Sequence, residues 1–220
     1  MPEIAINEKL ISFLLFLPVF FISLAFHEYS HAFVAWKYGD NTAKNQGRLT
    51  LNPIKHIDLI GSVLMPLVSF ASGFFIIGWA KPVPVNRKNF KNMLRDDAVV
   101  SFAGPVANFI LAVVLFAGFA ALDSNASGMG MTQQRIISLL QMGSYFNIFL
   151  FAFNLLPIPP LDGSHILFDL FPNRITSQIV NSGLYGFVIL MLFIYSPLWG
   201  YFIKFVNFVY EIFLYVSGKY

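Results

Sequence analysis

AFHEYSHAFVAWKY, residues 25–38, closes an apolar run, LISFLLFLPVFFISLAF (10–26), with no charged residue between Lys9 and His27. Within five positions this segment then places His27, Glu28 and His31. On a helix, positions i and i+4 share a face, so both imidazoles can be directed at one metal ion while Glu28, one residue along, reaches a water beside it. Ionisable residues inside a membrane segment are costly and mark functional sites. The plainer alternative is that the three side chains only hydrogen-bond neighbouring helices. A catalytic zinc has three protein ligands and an open position, so the metal reading requires a third ligand from elsewhere in the chain.

The composition places that segment in a bilayer. The 220 residues are 57% hydrophobic and 11% charged, against about a quarter charged in soluble domains. A spanning helix needs roughly 20 mainly apolar residues, so several fit, with little chain left for a soluble domain. The N-terminus lacks the basic region of a cleaved signal peptide and carries Glu3 and Glu8 ahead of a long apolar run, so the first helix is expected to stay. The chain has no cysteine. Disulfides and thiolate ligands are thereby excluded, leaving histidines and carboxylates to hold a metal. A net charge of +3 fits loops near anionic lipid headgroups and gives no case for nucleic acid.

Apolar patterning predicts helices at about 10–38, 98–122, 135–156, 175–195 and 198–217. A further apolar stretch at 57–79 holds Pro66 and several small residues, so it either spans or dips in and returns. The loop 39–58 carries a short alternation, Arg48-Leu49-Thr50-Leu51, that suits an edge strand. The fold expected is an all-α polytopic membrane protein of five to six transmembrane helices, one of them a candidate for re-entry, with a short strand-containing loop. The 26 phenylalanines read as lipid-facing bulk, and the tyrosines of 201–220 as an interfacial belt.

The best source of a third ligand is NLLPIPPLDGSHIL (154–167). Its prolines end a helix and redirect the chain, and Asp162 stands just before Gly163, where a tight turn is easy. Asp162 is either a carboxylate held at a break between membrane helices or the N-cap of the next helix. On local sequence both readings stay open.

HEYSH in the first helix, GPVAN (104–108) in a later one and NLLPIPPLDG (154–163) together resemble the site-2 protease family of intramembrane zinc metalloproteases, over residues 20 to 170. The segments GRLTLNPIKHID (47–58) and GWAKPVPVN (78–86) are similar to its compact branch, which lacks PDZ or CBS domains. Leu59 departs from the proline expected there, and Ser164 from a second glycine. The resemblance implies one zinc ion bound by His27, His31 and Asp162, with Glu28 as catalytic acid and base and Asn154 assisting at the substrate. It also implies a transmembrane protein as substrate and a bacterial or archaeal plasma membrane as location. The whole chain, 1–220, is then one membrane-embedded peptidase domain. Its parts are the first helix 10–38 with HEYSH, a loop and re-entrant segment 39–97, helices 98–156, the Asp-Gly motif 154–165 and C-terminal helices 175–217. The alternatives in other functional classes are a membrane metal-ion transporter and an inactive metal-binding scaffold.

Topology adds an expectation independent of the family. His27 and Asp162 both lie near C-terminal ends of apolar helices, so these ends should share one membrane face, which a re-entrant 57–79 allows. Most basic residues, Lys219 among them, then fall on that face, and the positive-inside rule makes it cytoplasmic. The role of Asn108 is left between an interhelical hydrogen bond and a catalytic part. Asp58 is expected to cap a helix beside a solvated His56, and Asp96, Asp97 and Asp123 to be solvated charges.

Overall fold

The computed structural model describes residues 2–72, 78–123 and 130–219, with side chains from Lys9 onward. Among these residues the regular structure is entirely helical. The elements are α1 (Pro2–Lys37), a single turn α2 (Thr42–Asn45), α3 (Met65–Ser72), α4 (Met93–Asp123), α5 (Met131–Asn154), α6 (Asp162–Leu170), α7 (Arg174–Val180), α8 (Leu184–Tyr195) and α9 (Pro197–Val216). Three are long and apolar enough to cross a bilayer: residues 9–37 of α1, α4 and α5. A fourth is reached if α7 and α8, bent by 85° at their junction, count as one.

This is fewer than the five to six spans expected from sequence, for local reasons. The predicted helix 175–195 breaks at residues 181–183, where Gly183 adopts a φ of +55°, a region open to glycine at little cost. Both ends of α8 lie near the C-terminal end of α5, since Trp199, which the end of α8 meets, packs on Phe153. Gly186 packs against Pro159 near its start, and Phe193 lies 6.1 Å from the Trp199 ring near its end. In α9, Lys204, Asn207 and Glu211 dilute the apolar run. The loop residues 48–51 carry no strand, and no strand occurs among the described residues.

α1, α4 and α5 form the centre. α4 runs antiparallel to α1, with Val100 beside His31 and Asn108, two turns on, beside Ser23. α5 runs back parallel to α1, with the Phe146 ring 4.9 Å from Phe16 and edge-on to it. Phe16, Phe20, Phe116, Phe119, Phe146, Phe149 and Phe202 are buried in one cluster, so much of the aromatic bulk read as lipid-facing is core. In lipid there is no hydrophobic drive between helices, and association rests on close packing. Interlocked rings contribute about 0.5–1.5 kcal/mol per pair beyond the area they cover.

The described ends of the 57–79 stretch lie side by side, Trp79 against Gly61. Asp58 accepts from the backbone N–H groups of Ile60 and Gly61, capping a π-helical turn at Leu59–Leu64 that continues into α3. Residues 59–72 form a helix of 14 residues, about 21 Å long, short of the ~30 Å hydrocarbon core. Phe70 stacks on Phe13 of α1 at 4.5 Å, deep in the bundle. By Trp79 the chain has returned, since the Trp79 N–H donates to the Gly61 carbonyl at 3.1 Å. α1 therefore ends, and α4 begins, on one face, which the α5–α6 junction shares. α9 begins beside Phe153 near that face, through Trp199, and brings Lys219 to 2.6 Å from Asp123 at the far end of α4, so it runs the length of the bundle although its apolar content falls short of a candidate span. Lys219 thus lies opposite the face expected from sequence.

Cysteines introduced one at a time at the exposed positions 44 and 91 are expected to react with an impermeant reagent from the same side of sealed vesicles. A crossing of the membrane by 57–79 would put them on opposite sides.

Candidate metal centre

His27 and His31 occupy successive turns of α1, and both are buried. Their Nε2 atoms are 3.0 Å apart. Asp162, the first residue of α6, brings Oδ2 to 3.1 Å from His27 Nε2 and 3.4 Å from His31 Nε2. Among the described residues this is the one group of three or more such side chains with ligand atoms close enough to share an ion. Asp162 does not cap α6 with its side chain; the carboxylate faces the histidines instead.

The hydrogen bonds behind the rings decide what those three atoms present. His31 Nδ1 lies 2.7 Å from the carbonyl of Val100. A carbonyl only accepts, so Nδ1 carries the proton and Nε2 a lone pair. His27 Nδ1 lies 2.7 Å from Asn108 Oδ1, giving the same result. Two ring lone pairs and a carboxylate oxygen then converge at about 3 Å, and buried Asp162 Oδ2 has no hydrogen-bond donor. Such a triangle is repulsive without a cation. Ligands on a tetrahedral zinc at about 2.1 Å are separated by ~3.4 Å, so these residues fit a zinc ion.

Backbone approach makes room for the site. A Cβ on Gly104 of α4 would lie 2.3 Å from His31 Nε2 and 2.7 Å from His27 Nε2. One on Gly163 would meet the Leu155 and Leu156 carbonyls at 2.3 and 2.4 Å. Bare backbone at these two points lets α4 close over the imidazoles and α6 tuck beneath the end of α5, which positions Asp162.

Glu28 is buried beside the pair, and its Oε2 accepts the N–H of Val83 at 2.7 Å. Val83 sits in an extended strap, residues 79–86, between Pro82 and Pro84. Several ties hold the strap. Arg48 Nη2 donates to the Lys81 carbonyl at 2.6 Å, the Lys81 N–H donates to the His56 carbonyl at 2.8 Å, and buried Asp40 accepts from the Asn86 N–H at 2.8 Å. Burial alone would raise the Asp40 carboxyl, but donors from Thr42, Asn86 and Asn89 hold it below its ordinary value. Arg87 completes the anchorage, its Nε 2.9 Å from Asp97 Oδ2 on α4 and its Nη2 on Asp169 of α6.

The expectations of a solvated His56, Asp96 and Asp97 change here. His56 is buried rather than solvated, with Nε2 2.8 Å from the Thr50 carbonyl. Asp96 and Asp97 are buried; Asp96 accepts from the Asn92 N–H and Asp97 pairs with Arg87. Asn154 donates from Nδ2 to the Leu150 carbonyl of its own helix and makes no hydrogen bond to the three convergent residues. His165 lies 3.9 Å from Asp97, outside that group. The strap contacts of Arg48, Asp40 and Arg87 had no sequence signal beyond charge in a polar loop.

The chain matches peptidase family M50 over residues 124–195. It is 44% identical over 183 residues to "Putative zinc metalloprotease YwhC" of Bacillus subtilis, covering 82% of this chain and 80% of that protein. Over 185 residues it is 30% identical to "Putative zinc metalloprotease Rip2" of Mycolicibacterium smegmatis, covering 84% and 68%. A protein of the same name from Mycobacterium tuberculosis is 32% identical over 142 residues, covering 64% and 51%. No solved structure matches the chain.

Two outcomes are expected. Gly104→Ala should purify without zinc by elemental analysis, whereas Gly118→Ala on the same helix, where a Cβ meets Leu140 at 3.5 Å, should keep it. Asp169 is pushed up to about 7 by burial, with Asp97 adding to the rise. Its contribution to stability is full below the ordinary carboxyl range and lost as pH climbs through 7. Asp169→Asn should therefore flatten the decline in melting temperature between about pH 4 and 7.

Proposed function

Since the chain belongs to peptidase family M50, the site-2 protease family, and is a zinc metalloprotease, we propose that it hydrolyses peptide bonds in or beside transmembrane segments of membrane proteins. The observation that carries this reading is the convergence of His27 Nε2, His31 Nε2 and Asp162 Oδ2 with Glu28 held next to them. These three residues would hold one zinc ion. When bound, zinc supplies electrophilic polarisation of a carbonyl and a lowered pKa for water.

The chain's own groups divide the remaining work. Glu28 takes the proton of the attacking water and returns it to the leaving amine. The Val83 N–H on Oε2 fixes its carboxylate plane, leaving Oε1 to carry the proton. Asn154 has one amide hydrogen on the Leu150 carbonyl; the second remains for a substrate carbonyl, where a donor stabilises developing negative charge. Burial of both histidines and Glu28 keeps bulk water away and strengthens each interaction.

The position of the centre on α1, a helix long and apolar enough to cross a bilayer, favours a transmembrane substrate. On this arrangement ten of the 14 basic residues, those from Lys37 to Arg95 together with Arg174, fall on the face where α1 ends, while Lys9, Arg135 and Lys219 fall toward the other and Lys204 lies within α9. By the positive-inside rule the centre opens near the cytoplasmic side, in a bacterial or archaeal plasma membrane. An ion carrier would use the same ligands but needs no buried, non-ligand carboxylate beside them, whereas a hydrolase does.

Glu28→Gln in purified full-length protein is expected to retain zinc and to cleave transmembrane-segment peptides at least ~10²-fold more slowly. Chelation should abolish wild-type cleavage and added zinc restore it. A Gln variant that cleaves as fast as wild type, with zinc bound, would remove Glu28 from the mechanism.

A further inference from the structure

Three fully buried polar side chains lie behind His27, on three helices: Ser23 of α1, Asn108 of α4 and Asn147 of α5. They form one hydrogen-bonded chain whose direction can be read from its fixed end. Ser23 Oγ donates to the Val19 carbonyl at 2.7 Å, so its lone pairs face onward. Asn147 Nδ2 donates to Ser23 Oγ at 2.8 Å and to the Gly143 carbonyl at 2.9 Å. Both contacts require the amide nitrogen on that side and so turn Asn147 Oδ1 toward Asn108. Asn108 Nδ2 donates to that oxygen at 2.9 Å and to the Ser23 carbonyl at 3.3 Å. Its Oδ1 is left facing His27 Nδ1 at 2.7 Å.

We infer that Ser23, Asn147 and Asn108 are positioning residues that set the tautomer of His27, keeping its proton on Nδ1 and its Nε2 lone pair toward the metal. This rests on the reading of His27 as a ligand. An amide side chain has two ends of nearly equal size and opposite polarity. Left alone, Asn108 could turn over, offer Nδ2 to His27 Nδ1 and drive the ring proton to Nε2, which a metal cannot share. Backbone carbonyls at Val19, Gly143 and Ser23 forbid that turn, because none of them donates. His31 needs no such relay, its Nδ1 being held directly by the Val100 carbonyl. The two ligands thus reach one tautomer by different routes, one of them passing through α5.

The difference supplies an internal control. In full-length Asp162→Asn protein stripped of metal, which lacks the carboxylate that would otherwise draw a proton to either Nε2, and at a pH where both rings are neutral, histidine ¹⁵N spectra should place the proton of both His27 and His31 on Nδ1. His27 protonated on Nε2 in that protein would overturn the proposal. With Asn147→Leu, of the same branching, added, His27 should populate both tautomers while His31 keeps one, and in protein that keeps Asp162 the zinc affinity by chelator competition should fall about 10–100-fold. Asn108→Asp added to that variant, with a carboxylate that accepts at either oxygen, should restore the single tautomer and the affinity. Unchanged His27 and zinc affinity within twofold of wild type would refute the relay, as would His31 shifting together with His27 or failure of the Asp to rescue. Failure of the wild type to bind zinc would count against the ligand assignment, while the spectra still report the relay.

Discussion

The close approach of α4 to α1 at Gly104 is the contact on which the rest of the molecule depends. Two imidazoles on adjacent turns of a membrane helix are ordinary neighbours until something fixes their far nitrogens. α4 does so, with a carbonyl at Val100 and an amide at Asn108, and it can reach only because Gly104 between them has no side chain to keep the helices apart. Pro105 follows at once; it cannot donate to the Ser101 carbonyl and so weakens the helical ladder at this turn. α5 completes the arrangement by bracing Asn108 and by ending where the chain must turn to deliver Asp162.

Polar groups are placed in this bundle under a strict condition. A buried group without a partner costs about 1–3 kcal/mol, and a bilayer offers no water to make up the loss. Ser23, Asn108, Asn147 and Ser144 all find partners on neighbouring helices. Their bonds join α1, α4 and α5 more directionally than the phenylalanine cluster above them can. Asp162 Oδ2 is the exception at the centre, and its lack of a donor is what a cation would answer. The strap is held by the same logic at the membrane surface, where buried Asp40 and Arg48 bind backbone groups.

The sequence was most legible where chemistry depends on local spacing. HEYSH fixes the relation of His27, Glu28 and His31 within one helix, and the Asp-Gly step places Asp162 at a helix start. Bringing Asp162 to the histidines is a long-range outcome that the residues by themselves left open. Pairings distant in sequence were invisible for the same reason: nothing local says that Arg87 meets Asp169, that the Arg48 guanidinium reaches the Lys81 carbonyl, or that His56 is enclosed. The break at Gly183 was missed because hydropathy averages over backbone geometry. With it went the depth of α8 and the side on which Lys219 emerges.

The chain of contacts from Val19 to His27 consists of dipoles and carries no formal charge. A transmembrane voltage does work of about 2.3 kcal/mol per 100 mV on an elementary charge crossing the membrane, but very little on neutral amides and a hydroxyl that stay in place. A relay built from aspartate or lysine could gain or lose a proton, and a proton that crosses part of that field would tie the state of His27 to how strongly the cell has energised its membrane. Built from serine and asparagine, it leaves the imidazole indifferent to that field.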